Sequence, residues 1–127
     1  MPKGKKRNRS RHKTVAAMTI DAVSPEGSAF LIELKVAMPY RSETGEWACR
    51  ITVDGLANQP VDAHGEDSYQ ALCLAISFAQ NLLHDFLEKG GKLLMGTKDF
   101  PLEAYSILRR PIHEAYMRFG AGQSQRE

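Results

Sequence analysis

The sequence predicts an α+β domain in which an antiparallel β-meander of three to four strands packs on one long helix, with short helices near the C-terminus. Three observations predict this fold class. Apolar and polar residues alternate in three segments before residue 55, as they do in half-buried strands. One later segment has its apolar residues at helical spacing. Turn residues, mainly proline and glycine, separate the segments and give each a defined end.

Three segments have the alternation of strands, and they cover residues 15–23, 30–38 and 47–53. In each segment alternate positions form one apolar face, as Ile20, Ile32 and Ile51 illustrate. Short turn sequences containing Pro25 and Pro39 join the segments. Consecutive strands with one apolar face each favour an antiparallel meander whose apolar side must be covered.

The predicted helix occupies residues 67–89, and its apolar positions fall within an arc of roughly 140°. These positions are Leu72, Ala75, Ile76, Ala79, Leu82, Leu83, Phe86 and Leu87. Asp67 is placed to accept a hydrogen bond from the amide of Gln70, whose side chain can reach back as in a capping box. At the other end, Lys89 complements the helix dipole and Gly90 can adopt the left-handed conformation that ends helices. This helix is the predicted cover of the meander.

Weaker signals lie on both sides of the helix. Residues 55–66 are predicted to cross irregularly from the sheet to the helix, with a short extended piece around Val61. Residues 92–95 are short and apolar, and glycines bound them, which favours a fourth strand. Two short helices are predicted over residues 102–110 and 111–119, because apolar residues there have helical spacing and a proline separates the two runs.

These signals define the predicted domain organisation. At 127 residues the chain has the size of one domain. We predict a disordered basic arm over residues 1–14, a single domain over residues 15–120 and a disordered tail over residues 121–127, because both ends lack apolar periodicity.

The charge is unevenly distributed along the chain. The net charge is +2, but residues 1–13 contain seven basic residues and no acidic one, which leaves ten basic against fifteen acidic residues elsewhere. Such an arm suits the phosphate backbone of RNA or DNA. The predicted nucleic-acid-binding residues are Lys3, Lys5, Lys6, Arg7, Arg9, Arg11 and Lys13. The arm contains no aromatic residue for base stacking, so a solubilising tail or contact with another anionic surface is the alternative interpretation.

Leu74 and Phe78 lie one turn apart, beyond the edge of the apolar stripe of the helix. One interpretation is that the chain after residue 100 packs over them. The other is that they form a surface for a protein partner or a homodimer, which makes them the predicted partner-binding residues.

No sequence pattern indicates catalysis or metal binding. The chain contains no GxSxG, P-loop, GxGxxG or HExxH motif, and Cys49 and Cys73 form no CxxC pair. His64, Glu66 and Asp67 lie close together, but Asp67 is better explained as a helix cap and Glu66 as a favourable charge near the helix N-terminus. We therefore predict that the protein is not an enzyme and has no catalytic residue, no metal site and no cofactor.

The composition favours a folded protein of the cytoplasm. The hydrophobic content is 43% and the charged content 25%, which are ordinary for a globular domain. No apolar run approaches the roughly 18 to 20 residues of a membrane span, and the basic N-terminus leads into an alternating segment rather than the apolar core of a secretory signal. We expect no membrane association.

Several residues around the helix resemble a known sequence pattern. The run of residues 65–72 reads GEDSYQAL, and it is followed by Leu74 and Ala75, by a GGKL sequence over residues 90–93 and by Phe100 and Pro101. This pattern resembles a family of small bacterial domains with a G-x-D-S-x-Q-A-L-x-L-A helix start. The resemblance spans roughly residues 15–101 and implies an α+β fold and a bacterial source. It implies no activity, because none is assigned to that family.

A second resemblance is to HicB-type antitoxins, in which a meander strand precedes an amphipathic helix with an E-A-L or Q-A-L start. Residues 47–55 and 68–83 occupy those places here. It rests on the arrangement of elements alone.

The sequence therefore supports three functional hypotheses. The favoured one is a non-catalytic binding or adaptor domain that uses a sheet edge or the margin formed by Leu74 and Phe78. The alternative is a nucleic-acid-associated protein, antitoxin-like or RNA-binding, that uses the basic arm. A small enzyme is the third, and it would require a pocket lined with convergent polar groups such as His64, Asp67, Tyr69 or His113.

Overall fold

The computed structural model describes residues 12–105. The elements in chain order are β1 (Thr14–Val23), β2 (Ala29–Ala37), β3 (Tyr40–Arg41), β4 (Trp47–Asp54), β5 (Val61–Gly65), α1 (Ser68–Glu88), β6 (Lys92–Met95), β7 (Lys98–Asp99) and a 3-10 helix (Leu102–Tyr105). The predictions for residues 1–11 and 106–127 lie outside the described residues. The predictions concerned are those for most of the basic arm, for the predicted C-terminal helices beyond residue 105 and for the tail.

All seven strands belong to one antiparallel sheet. Ala48 of β4 pairs with Tyr40 of β3 and with His64 of β5, so these two strands lie on opposite sides of β4. Ile51 of β4 likewise lies between Val36 of β2 and Val61 of β5. β3 therefore continues β2 along the same side of β4. Across the sheet, the order is β5, β4, the β2–β3 pair, β1, β6 and β7.

The prediction of a three- to four-stranded meander packed on the helix was wrong. The sheet has seven strands, and α1 lies mainly over β4 and the outer strand β5 rather than across β1, β2 and β4. The predicted second strand corresponds to β2, whereas the additional strand β3 follows Pro39 in a segment that was predicted to be a turn. The connection between β5 and α1 contains only Glu66 and Asp67, which keeps the helix beside β5.

The core lies between the sheet and α1. Its largest fully buried side chains include Ile20, Ile32, Ile51 and Leu83, which come from β1, β2, β4 and α1. Three alanines at four-residue intervals, Ala71, Ala75 and Ala79, are also buried, and their small side chains allow the helix to approach the sheet closely. Leu87, which was predicted in the buried stripe, is 36% exposed.

Both ends of α1 have the predicted residues. The Asp67 carboxylate accepts a hydrogen bond from the Gln70 amide at 2.7 Å, and the Glu66 amide donates to the Gln70 side-chain oxygen at 2.6 Å. At the C-terminus, the amide of Gly90 donates to the Leu87 carbonyl and that of Gly91 to the Phe86 carbonyl, which is a Schellman motif.

The chain after β7 packs against one side of α1. Leu102 is 4% exposed and joins the core cluster, and the rings of Phe100 and Tyr105 stack at 4.8 Å. The buried side chain of Gln80 donates a hydrogen bond to the Tyr105 carbonyl. Residues 100–105 thus cover the part of the core that α1 leaves open. Instead of the start of a predicted α-helix, this segment contains a four-residue 3-10 helix.

Candidate functional site

The outer strand β5 is the first candidate interaction site. Within residues 12–105, β5 pairs with β4 and has no strand on its other side. A strand at such an edge presents unpaired backbone N–H and C=O groups that another strand can bind. Natural edge strands are commonly protected by proline or lysine, but Val61–Gly65 contains neither.

Side-chain contacts hold β5 firmly on β4. Arg50 donates two hydrogen bonds to the Asp62 carboxylate, from Nε to Oδ1 at 2.9 Å and from Nη2 to Oδ2 at 2.8 Å. This hydrogen bonding lowers the pKa of Asp62 against the opposing effect of burial, and it raises the pKa of Arg50. His64 Nδ1 lies 2.7 Å from Glu46 Oε1. The edge strand is therefore already ordered before any partner binds.

Leu74 and Phe78, the predicted partner-binding residues, lie on the helix margin that faces away from the 3-10 helix. Leu74 is 42% exposed, whereas Phe78 is half-buried against the core cluster. At about 100° per residue, Leu74 lies on the other side of α1 from Ile76 and Gln80. Those two residues line a cavity of about 110 Å³ together with Met18, Leu34, Ala79, Leu83, Leu102 and Tyr105. Residues 100–105 thus leave Leu74 uncovered.

Since α1 lies over β4 and β5 and the 3-10 helix lies on the β1 and β2 side, the Leu74 margin borders the free edge of β5. We call β5 and this margin the β5 edge surface. From the sequence, a sheet edge and the margin formed by Leu74 and Phe78 were predicted as alternative interaction surfaces. The sequence could not identify the edge, because strand order is not readable from periodicity alone.

Of the predicted nucleic-acid-binding residues, the structure describes Lys13 alone, and the other six lie outside the described residues. The Lys13 carbonyl accepts a hydrogen bond from the Met38 amide, which continues the pairing of β1 with β2. The ring of the preceding residue, His12, contacts Tyr40 edge-on at 5.2 Å. Residues 12–105 contain seven basic and thirteen acidic residues, so phosphate contacts would be concentrated in the arm.

A polar cleft lies beside the N-terminus of α1, with a volume of about 480 Å³. Its lining includes Arg41, Glu46, His64, Glu66 and Gln70. Arg41 is positioned over the Trp47 ring, 5.5 Å from its centroid, and its Nε donates to the Gly45 carbonyl at 3.2 Å. Glu46 was missed in the sequence, because it is 18 positions from His64 and only the β4–β5 register brings the two together.

This cleft has one element of acid–base chemistry, since a carboxylate orients the imidazole of His64. Among the described residues, its lining includes no serine, threonine or cysteine that could act as a nucleophile beside that imidazole. Asp67 and Gln70, which the sequence places nearby, are used in the helix cap. The absence of enzymatic activity stays a prediction.

A larger and more apolar cleft, of about 860 Å³, lies between the end of α1, β6 and residues 99–104. Its lining includes His84, Leu87, Leu93, Phe100 and Leu102. The described chain ends one residue beyond this lining, at Tyr105.

The two cysteines are free thiols in different environments. Cys49 is fully buried and its thiol donates to the Ala37 carbonyl at 3.3 Å. Burial raises the pKa of Cys49, which favours the unreactive thiol form. Cys73 is a half-buried free thiol on α1.

Among residues 12–105, no group of three or more histidine, cysteine, aspartate or glutamate side chains is placed to hold a metal ion. In the same part of the chain, α1 is not apolar enough to cross a membrane. The predicted cytoplasmic location and the lack of a cofactor remain predictions.

The motif residues that gave the sequence resemblance have structural roles. A Cβ atom at Gly65 would lie 2.7 Å from the Ala71 amide nitrogen, and one at Gly91 would overlap the ring of Phe86. Asp67 and Gln70 cap the helix, as described above. These four motif residues, Gly65, Asp67, Gln70 and Gly91, therefore define the two ends of α1 and its close packing on neighbouring residues.

Comparison with known protein families gives one match. A domain of unknown function, DUF6968, matches residues 18–100. No curated protein sequence and no solved structure matches the chain. The expected relationship to a small-domain family without an assigned activity is confirmed at this level, whereas the HicB-type likeness remains a resemblance of arrangement. Since the match covers well over half of its length, the chain belongs to the family defined by the DUF6968 domain.

Proposed function

We propose that this protein is a non-catalytic binding domain that binds a protein partner through the β5 edge surface. The observation that supports this proposal is the position of β5, which among residues 12–105 has no strand on its outer side and has the exposed side chain of Leu74 beside it. Backbone groups on the free side of β5 would pair with an added strand, and Leu74 would contribute apolar contact area.

The order of β5 favours this mode of binding. The two hydrogen bonds between Arg50 and Asp62 fix the strand on β4, so little conformational entropy is lost when another strand pairs with it. Recognition by an added strand needs no catalytic group and no cofactor.

Capture from the source cell with the full-length protein tests this proposal. Leu74→Glu places a charge in the surface and should reduce recovery of specific partner proteins at least tenfold. Leu87→Glu is the matched control, because Leu87 is 36% exposed on a different part of α1. Hydrogen exchange should slow at residues 61–65 when the partner is bound. Equal recovery with both variants, or unchanged exchange in β5, would contradict the proposal.

A second candidate function is nucleic-acid association through residues 3–13. It is favoured by the concentration of seven basic residues in an arm that has no acid, next to a body with an excess of acidic residues. Fluorescence anisotropy with labelled RNA and DNA duplexes tests it. Deletion of residues 1–11 should abolish binding, and the binding of the intact chain should weaken steeply with salt. Unchanged affinity after the deletion would refute this function.

A further inference from the structure

We infer that the partner strand on the β5 edge surface is β5 of a second copy of this chain, paired antiparallel about a twofold axis at Ala63. This inference rests on the proposed function and specifies its partner. It is carried by the self-complementary sequence of β5, VDAHG, and by the placement of its charged side chains.

The register follows from the charges along β5. A twofold axis perpendicular to the sheet keeps each side chain on its own face, and it can pass through Asp62, Ala63 or His64. An axis at Asp62 places the two Asp62 carboxylates opposite each other, and an axis at His64 places Asp62 opposite Glu66. Like charges directly opposite destabilise an antiparallel pair. An axis at Ala63 instead places Asp62 of each copy opposite His64 of the other.

This register continues the ion pairs already present in each copy. Asp62 is bound by Arg50, and His64 lies against Glu46 through Nδ1. Pairing the strands would bring His64 Nε2 towards Asp62 of the second copy, where the doubly protonated imidazolium form of His64 could donate to both carboxylates. With His64 in that form, charges would alternate across the joint from Arg50 and Asp62 of one copy to His64 and Glu46 of the other.

The opposite face of the strand also fits. Ala63 faces Ala63, and Val61 faces Gly65, so every pair includes small side chains that do not obstruct close approach of the strands. Because the axis is perpendicular to the sheet, both α1 helices lie on the same side of the joined sheet. Their Leu74 margins then face each other, and side chains that are 42% exposed in one copy become covered.

Sedimentation velocity of the full-length protein over a range of concentrations tests the inference. The wild-type chain should be dimeric. His64→Glu places a glutamate opposite Asp62 at both ends of the joint and should weaken the dimer about tenfold or more. Lys98→Glu is the matched control, because it introduces the same side chain in β7 at the other edge of the sheet. Thermal unfolding of each variant verifies that it is folded.

A mixing experiment tests the register itself. Asp62→His removes the carboxylate that faces His64 of the other copy and that binds Arg50 of its own chain, so this variant alone should dimerise more weakly than the wild type. A mixture of Asp62→His with His64→Glu places a histidine of one copy opposite a carboxylate of the other at both positions, and it should form a heterodimer. The inference is overturned if the wild-type protein remains monomeric at about 100 µM. It is also overturned if His64→Glu leaves the dimer unaffected. If the inference fails, the proposed function still stands when Leu74→Glu reduces capture of a different protein.

Discussion

The guanidinium of Arg50 and the carboxylate of Asp62 form a two-point ion pair across β4 and β5, with N to O distances of 2.9 and 2.8 Å. The residues are direct partners in the strand register, and their side chains are only 34% and 26% exposed. This pair joins the edge strand to the sheet on the face opposite α1. Its strength therefore determines how well β5 is positioned for another strand.

Replacing Arg50 by methionine should lower the free energy of unfolding by about 1 kcal/mol at neutral pH, because two charge-assisted hydrogen bonds to a partly buried carboxylate are lost. Urea denaturation of the wild type and the variant measures the difference. Lys35→Met is the control, since the Lys35 and Glu33 side chains are about half exposed and 3.9 Å apart, and its effect should be clearly smaller.

The effect of Arg50→Met should also depend on pH. The folded protein lowers the pKa of Asp62, so the stabilisation is fully present above the ordinary aspartate pKa of about 3.9 and is lost as the pH falls through the lower, folded value. The difference between the wild type and the variant should thus be constant above about pH 5 and shrink in more acidic solution. A difference that grows on acidification would contradict this assignment.

The N-cap of α1 gives a second stability prediction. Asp67→Ala removes the acceptor for the Gln70 amide and should cost about 1 kcal/mol, whereas Asp67→Ser keeps a capping oxygen and should cost clearly less. Chemical denaturation of both variants compares them. Glu66→Ala serves as a control, because the amide of Glu66 rather than its side chain takes part in the cap. Equal losses for the alanine and serine variants at position 67 would exclude a capping role.

The close approach of Gly91 to Phe86 predicts a coupling between these residues. Gly91→Ala should destabilise the protein by roughly 1 to 3 kcal/mol, because the new methyl group overlaps the Phe86 ring. Phe86→Leu removes part of that ring and should recover some of the loss when both changes are combined. A double-mutant cycle should give a coupling of about 0.5 kcal/mol or more. Strict additivity would show that the ring does not restrict position 91.

Leu102 tests whether the chain after β7 belongs to the folded core. Leu102→Ala should cost about 2 to 5 kcal/mol, because the side chain is 4% exposed and its loss leaves a cavity. Leu87→Ala removes the same atoms from a side chain that is 36% exposed, and it should cost much less. Thermal unfolding measures both. Similar losses for the two variants would mean that residues 100–105 contribute little to stability.

The helix could be predicted well because its signals extend over more than twenty residues. Periodicity, the cap at Asp67 and the glycines at the C-terminus all agree, and α1 ends within one residue of the expected limits. The three longest strands were also placed correctly to within a few residues, since period-two alternation is clear over eight or more positions. Local patterns of this length are little altered by the rest of the fold.

The architecture was predicted less well, because it depends on contacts between distant parts of the chain. β5 lies in a segment that was predicted to cross irregularly with only a short extended piece around Val61, and the two residues of β7 give no periodic signal. The pairing of His64 with Glu46 follows only from the β4–β5 register. For the same reason the sequence could not show which margin of α1 the chain after residue 100 would cover.

The contact between Gly65 and the Ala71 amide has a mechanical consequence. The two-residue connection and this close packing fix β5 to the first turn of α1, so the two should move as one rigid unit. A bound molecule that restrains β5 would therefore also restrain the start of α1. Occupancy at the sheet edge should therefore be detectable as slower opening of the amides of Gln70 and Ala71, which the bound molecule need not touch.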